Sequence, residues 1–372
     1  MAKKRKVQKP KSDSRLSTIL WMIVTVISGG GVSGYLNPDL PLVGSIVKSL
    51  NLNPTGAGSA PSDIHAQQEI SNRNGGLLTS AHIPATHNAT SGQIASSQKP
   101  NDRLLIATFN IQVFGTSKLA KKDVMAVIVD VIRKFDIVAI QEIRAKEDNI
   151  LPTLIDMINA DGNRYNFLIG PRLGRTVSTE QYAFVYDTNR IEFDPSSVRT
   201  IADPRDLLHR EPMVARFRPR TNWPDRAFTF WLVNSHTDPD EVPAEVAALA
   251  DVFQAIRSDP SGEDDVILLG DLNASESQLG KLGKIPGIRW VVQGGVMTNT
   301  RQNKAYDNII FDGPSTSEYS GRWGVFNLEK TYQLTTEQAL QVSDHYPVWA
   351  EFGIWEASGG SQLAGRGAGP AR

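Results

Sequence analysis

The chain of 372 residues contains no cysteine. Disulfides, thiolate-ligated zinc and a thiol nucleophile are therefore excluded. The compartment stays open, although an exported protein gains from lacking oxidisable thiols. A general excess of positive charge is missing too. Seven of the 39 basic residues (Lys3, Lys4, Arg5, Lys6, Lys9, Lys11 and Arg15) and one of the 40 acidic residues (Asp13) lie in the first fifteen positions. That leaves 32 basic against 39 acidic residues in the rest, a net charge of −7. Such a body is no polycation; if it acts on a polyanion it touches it locally rather than clamping it. No repeat of fixed period is present, and long apolar runs are scarce.

The N-terminal third divides by composition. Residues 1–15 form a basic segment, with an import-like patch at Lys3-Lys4-Arg5-Lys6-Val7. Residues 16–36 carry no charge over 21 positions, about enough to cross a hydrocarbon core. They are expected to be a transmembrane anchor or a signal segment, with the preceding basic residues inside. The remainder is then membrane-anchored outside the cytoplasm, or secreted. Residues 37–102 are rich in Ser, Asn, Gly and Pro and are expected to be a disordered linker; the Gly/Ala-rich 354–372 is expected to be a disordered tail. Hydrophobic residues make up 40% of the chain, enough for a sizeable core in 103–353.

In that body the texture is strand, polar tip, helix. Strands are expected at 104–109, 136–140, 182–186, 213–217, 228–233, 266–269, 308–311 and 348–352, and helices at 118–135, 150–161 and 243–256. Val266-Ile267-Leu268-Leu269-Gly270-Asp271-Leu272-Asn273 is the pattern stretch: an apolar strand, a glycine break, then an acid and an amide. One such end is explained by an Asx turn. Here the grammar recurs at Asn110, Glu142, His236, Asp271 with Asn273, Asp307, and Asp344 with His345. Any one of these has a plain structural explanation. Together they are four acids, two amides and two histidines, each beside an apolar run. Burying carboxylates near one another is costly unless cations neutralise them. The set is the inventory of a magnesium-assisted phosphoester hydrolase: acids for the metal, amides for phosphate oxygens, histidine for protons.

In order, the segments Ala107-Thr108-Phe109-Asn110-Ile111, Asp136-Ile137-Val138, Gln141-Glu142-Ile143-Arg144, Gly170-Pro171-Arg172-Leu173-Gly174-Arg175, Arg210-Glu211-Pro212, Asn234-Ser235-His236, Gly270-Asp271-Leu272-Asn273-Ala274, Ala305-Tyr306-Asp307 and Ser343-Asp344-His345-Tyr346-Pro347-Val348 resemble the endonuclease/exonuclease/phosphatase superfamily, most of all its deoxyribonuclease I branch. The likeness spans about 103–353. It implies an α/β four-layer sandwich: two packed, mostly antiparallel or mixed sheets flanked by helices. It implies Mg²⁺ or Mn²⁺ at Glu142, with Asn110, Asp344 and Asp271 as further ligands. It implies phosphate binding by Asn110 and Asn273, and catalysis by His236 oriented by Glu180, by His345 paired with Asp307, and by Asp271. Arg144, Arg210 and Arg175 would contact nucleic acid.

The implied activity is in-line hydrolysis of a phosphodiester by a monomer, most simply a DNA endonuclease that grips duplex with little sequence preference. The alternatives are hydrolysis of a sphingomyelin- or inositol-phosphate-type ester, an RNA or single-strand nuclease, and a catalytically dead binding module. Departures from the family pattern bear on these. Ala202-Asp203-Pro204-Arg205-Asp206 is short and lacks a cysteine, and Lys304 stands where a second bridge's cysteine would be, which puts the structural Ca²⁺ sites of those loops in doubt. Ser178 replaces a tyrosine and Gln112 an arginine; both should weaken the grip on duplex.

Overall fold

The computed structural model describes residues 99–176 and 179–356. The expected anchor at 16–36, nearly all of the linker at 37–102, most of the tail at 354–372, and Ser178 lie outside them. Among the described residues no helix is long and apolar enough to cross a membrane.

Among the described residues, thirteen strands and six α-helices follow in chain order. They are β1 (Arg103–Phe114), α1 (Thr116–Leu119), α2 (Lys122–Arg133), β2 (Ile137–Ile143), α3 (Ile150–Asn159), β3 (Tyr165–Ile169), β4 (Gln181–Asp187), β5 (Ile191–Phe193), β6 (Arg199–Thr200) and β7 (Met213–Pro219). Then come β8 (Phe230–His236), α4 (Val242–Arg257), β9 (Val266–Asp271), β10 (Ile288–Trp290), β11 (Asp307–Asp312), β12 (Tyr319–Val325), α5 (Leu328–Tyr332), α6 (Thr336–Val342) and β13 (Val348–Gly353). One sheet has the order β12-β13-β1-β2-β4-β3, the other β10-β11-β9-β8-β7-β5 with β6 on β7. The pairs β1–β2 and β8–β9 are parallel and the rest antiparallel.

The apolar runs are continuous because the central strands are buried on both faces. Along β1, Leu104 and Ile106 enter the core between the sheets, while Leu105, Ala107 and Phe109 pack under α2 and α3. Along β9, Ile267 and Leu269 face the other sheet, and Val266 and Leu268 lie under α4. The result is the four-layer α/β/β/α sandwich with mixed sheets.

Two expectations are corrected. The helix at 118–135 is broken between α1 and α2, where Lys121 is extended (φ −88°, ψ 95°). Lys118 in α1 is buried and turns its ammonium back to the carbonyls of Gln112 and Val342. The polar tips also do not simply follow the strands. Pairing runs through Asn110, His236 and Asp271, Glu142 falls inside β2 where its pairing shifts register, and β11 begins at Asp307.

Candidate active site

Parallel pairing of β8 with β9 puts His236 beside Asp271, and antiparallel pairing of β9 with β11 puts Asp307 on its other side. The register depends on Gly270. Its φ is +151°, and a Cβ there would lie 1.8 Å from the Ser235 carbonyl oxygen, so only glycine allows the approach. From the other sheet, β1 brings Asn110 and β2 brings Glu142, parallel neighbours near a register shift in their pairing. Glu142 (φ +61°) and Asn273 (φ +46°) both sit in the left-handed region. Non-glycine residues rarely do so without a functional or packing demand.

The two sheets are locked together under the site. Asn234 of β8 donates to the carbonyls of Ile140 (3.1 Å) and Ala183 (3.0 Å) and accepts from Gln141 Nε2 (2.6 Å). The Tyr182 hydroxyl donates to the His236 carbonyl (3.2 Å) and accepts from the His236 N–H (2.9 Å). Buried bonds of this kind resist shear between the layers because breaking any one strands a buried polar group.

Asp271 Oδ2 is the hub. Asn110 Nδ2 donates to it at 2.9 Å, His345 Nε2 lies 3.4 Å away and His236 Nε2 3.5 Å away. Each imidazole is backed on Nδ1 by a buried carboxylate: Glu180 at 2.8 Å from His236, Asp307 at 2.9 Å from His345. Those partners assign the proton to Nδ1 and leave Nε2 facing the centre. Burial opposes charging either ring. Glu180 and Asp271 around His236, and Asp307 and Asp271 around His345, outweigh it, so both pKa values are raised, that of His345 well above 6.5. Burial also works against the Asp271 carboxylate, but the two histidines hold its pKa below the usual range. Asp307 is pushed up by burial, with the like charge of Asp271 adding.

The expected metal ligands gather beside this hub. Glu142 Oε1 accepts from Asn110 Nδ2 (3.3 Å), while its Oε2 takes the Val113 N–H (2.8 Å) and faces Arg144 Nε (3.3 Å). Asn110 Oδ1 and Asp344 Oδ1 are buried with no hydrogen-bond partner. Burial, with Glu142 and Asp271 adding, raises the Asp344 pKa against the pull of His345. Orphaned acceptors beside two further carboxylates, all oxygen, suit a hard divalent cation. Asp271, Asp307 and His345 also bring ligand atoms within 4.8 Å of one another.

Not every expected residue lies where its expected role would put it. Arg144 is 28% exposed and touches both Glu142 and, through Nη2 at 3.3 Å, Glu180. Arg210 is only 5% exposed. Its Nε donates to the His236 carbonyl (3.1 Å) and faces Glu180 (3.5 Å), so it underpins the histidine instead of presenting an open face to a backbone. Arg175 is taken up by Asp206 and Glu241. Asn273 spends its side-chain amide on the Thr237 carbonyl (2.9 Å), and its N–H binds Asp271 Oδ1 (3.0 Å).

Several supports are given no role by the sequence, although Ser343 lies in one of its motif segments. Thr298 donates to Asp307 Oδ2 (2.7 Å), and Ser343 donates to the Asn110 carbonyl (2.6 Å) while accepting the His345 N–H (3.0 Å). Lys118 is held near Glu142 and Asp344; burial lowers its pKa to about 8 against the pull of both acids. A lysine in an amphipathic stretch, here behind Thr116 and Ser117 and ahead of Lys121 and Lys122, reads as solvated, and nothing local marks it otherwise.

The endonuclease/exonuclease/phosphatase family model matches residues 107–345. Deoxyribonuclease-1-like 1 of Chlorocebus aethiops is 36% identical over 264 residues, 68% of this chain and 85% of that protein. Deoxyribonuclease gamma of Mus musculus is 33% identical over 263 residues, 66% of this chain and 83% of that protein. Among solved structures, humanized D. rerio TDP2 aligns with a TM-score of 0.49 at 18% identity, covering 70% of this chain and all of that one. With the match spanning both sheets and every element that brings a residue to the hub, the chain belongs to the endonuclease/exonuclease/phosphatase family, as a deoxyribonuclease I-like member.

Proposed function

We propose that residues 103–353 are a divalent-metal-dependent endonuclease that hydrolyses DNA phosphodiesters with little sequence preference, outside the cytoplasm. The observation that carries the reading is the convergence of three side-chain nitrogens on the Asp271 carboxylate, two of them imidazole Nε2 atoms backed by buried acids. Water attacks phosphorus in line. One imidazole accepts the water's proton at Nε2, and the other donates a proton from Nε2 to the leaving 3′ oxygen. The Asn110 amide donates to a phosphoryl oxygen as its charge grows. Mg²⁺ or Mn²⁺ held by Glu142, Asn110 and Asp344, with Asp271, would neutralise charge on the same oxygens. Two relatives that carry the name deoxyribonuclease support DNA as the substrate. Arg144 at the rim supports local contact to the backbone. The basic residues ahead of the uncharged 16–36 support export.

The test is nicking of supercoiled plasmid by the full chain. Nicking with Mg²⁺ or Mn²⁺, stopped by EDTA, is expected, and His236→Ala or His345→Ala should each cost about two to four orders of magnitude. A folded, metal-loaded protein that leaves plasmid intact yet releases phosphocholine or an inositol phosphate would assign the site to another ester.

A further inference from the structure

One buried ammonium beside the hub takes no part in the proposed chemistry. Lys118 lies on the short helix α1, yet it is only 8% exposed. Its Nζ donates to the carbonyl of Gln112 near the end of β1 and to that of Val342, the last residue of α6 (2.7 Å). Val342 is 224 positions away along the chain. The turn that carries the lysine is seated on the end of β2. Arg144 N–H bonds to the Phe114 carbonyl (2.8 Å), and a Cβ on Gly115 would lie 2.7 Å from the Arg144 carbonyl oxygen. Glycine allows that approach, and Gly115 then caps α1.

Each end of this bridge leads straight to the site. On the β1 side, Asn110 stands two residues before Gln112, and Val113 after it gives its N–H to Glu142 Oε2 (2.8 Å). Val113 is in the left-handed region (φ +49°), which a β-branched residue rarely adopts, so the turn is held against its own preference. On the α6 side, Ser343 follows Val342. Its hydroxyl donates to the Asn110 carbonyl (2.6 Å) and accepts the His345 N–H (3.0 Å), with Asp344 between. Asn110, Glu142, Asp344 and His345 thus hang from the two segments that Lys118 joins. A cation at a helix C-terminus is favourable in itself, but a surface lysine would supply that. A buried ammonium costs more. Burial lowers its pKa to about 8 against the pull of Asp344 and Glu142, and a methionine would fill the space without that cost. What the lysine adds is one group that holds two carbonyls from separate segments.

We propose that Lys118 is a positioning residue: its ammonium ties the end of β1 to the end of α6 and so fixes Asn110 and Glu142 at working distance from Asp344 and His345. The proposal rests on the metal-dependent phosphodiesterase reading of the hub. Lys118 acts through the backbone of its two partners and not on the substrate. Its charge repels a divalent cation, so it does not serve to raise metal affinity by electrostatics; its service is the spacing of the ligands.

The full chain, stripped with EDTA, is compared as wild type, Lys118→Met and Lys118→Arg. Mn²⁺ affinity is read by electron paramagnetic resonance, local opening by backbone hydrogen exchange, and turnover by plasmid nicking. Removing a positive charge beside the site would by itself tighten Mn²⁺. Lys118→Met should instead weaken it by about tenfold, as the loss of an outer support does. It should lower kcat by about ten- to a hundredfold with little change in KM, and speed exchange only at 110–114 and 342–346. Lys118→Arg, whose guanidinium spans two carbonyls, should recover most of each loss. If Lys118→Met does not fold, Lys118→Gln, whose amide reaches one carbonyl, carries the test with smaller effects in the same direction. Mn²⁺ bound as tightly as by wild type or tighter, or exchange raised evenly across the domain, would overturn the proposal. So would a loss that Lys118→Arg shares in full. A wild type that binds Mn²⁺ but leaves plasmid intact would end the nuclease reading, and the tie would still be judged by affinity and exchange.

Discussion

The substitution Glu180→Gln separates orientation from support. Glu180 is buried and bound to three groups: His236 Nδ1 at 2.8 Å, Arg144 at 3.3 Å and Arg210 at 3.5 Å. An amide of the same shape still fills the space but no longer fixes the tautomer or offsets a charge. Arg210 is 5% exposed, so it loses its partner where water cannot replace it. Removing one member of a buried pair costs about 3–5 kcal/mol, and Arg210 keeps its bond to the His236 carbonyl, which favours the low end. For a domain of this size, about 3 kcal/mol lowers Tm by about 6–12 °C. Turnover should fall by about two to four orders of magnitude, since His236 no longer presents Nε2 reliably. Its protonation should also shift to lower pH, because burial is then opposed mainly by Asp271. Asp307→Asn is the control. Asp307 orients His345 in the same way but backs no arginine, and burial already works against its ionised form. It should lose comparable activity with little change in Tm. The assays are plasmid nicking across pH and differential scanning calorimetry. Wild-type melting by Glu180→Gln would remove Arg210 from its account, wild-type turnover would remove the orienting role, and an equally large Tm loss in Asp307→Asn would undo the contrast.

Other consequences can be measured directly. Glu142→Gln should raise the Mg²⁺ concentration that gives half-maximal nicking by about tenfold or more while leaving the melting curve in EDTA nearly unchanged; an unaltered Mg²⁺ dependence would take Glu142 out of the ligand set. In metal-free protein both histidines have folded pKa values above their unfolded value of about 6.5, so the stability they contribute is complete below pH 6.5 and is lost as pH rises through the raised values. Urea unfolding in EDTA from acid to alkaline pH should show that decline, and Asp271→Asn should flatten it; a level wild-type profile would contradict the electrostatic account. Gly270→Ala drives a Cβ into the Ser235 carbonyl and should cost about 3 kcal/mol or more, so a well-folded variant in calorimetry would show that β8 and β9 can separate there. Arg144→Ala should weaken DNA binding and reduce its salt slope by about one; an unchanged slope would place Arg144 off the contact surface.

The strands that read clearly are those buried on both faces. β1, β2, β9, β11 and β13 appear as apolar runs because helices cover one side and the opposite sheet the other. The strands that do not read are β3, β5, β6, β10 and β12, and every one of them is at a sheet edge. Edge strands bury one face at most, so their composition is mixed and their length short. In β12, Tyr-Ser-Gly-Arg-Trp-Gly-Val carries a left-handed glycine, Gly321 at φ +84°, where its pairing slips register. The helix at 118–135 reads as continuous because its apolar spacing is continuous. The break falls at the extended Lys121, next to a turn whose Lys118 ammonium bonds to the carbonyls of Gln112 and Val342, the latter 224 positions away.

The site divides along the same line. Residues whose chemistry is rare beside an apolar run, such as the acids and histidines of the hub, could be picked out as a recurring set, though not one by one. Residues whose task is to hold another side chain could not. Nothing local distinguishes Arg210 under His236 from an arginine facing a phosphate, because the difference is that Glu180 and a β8 carbonyl take its guanidinium. Asn234, Tyr182, Thr298 and Ser343 are likewise defined by contacts that cross between chain segments. A family pattern transfers the identity of such residues but not the direction in which they point. Arg210 and Arg144 thus enter the sequence reading as equals and leave the structure in different places: one buried under His236, the other partly exposed beside Glu142 and Glu180. Calorimetry on Arg210→Ala beside Arg144→Ala tests the contrast, since only the first should lower Tm, and a reversal of that order would mean that the two places have been confused.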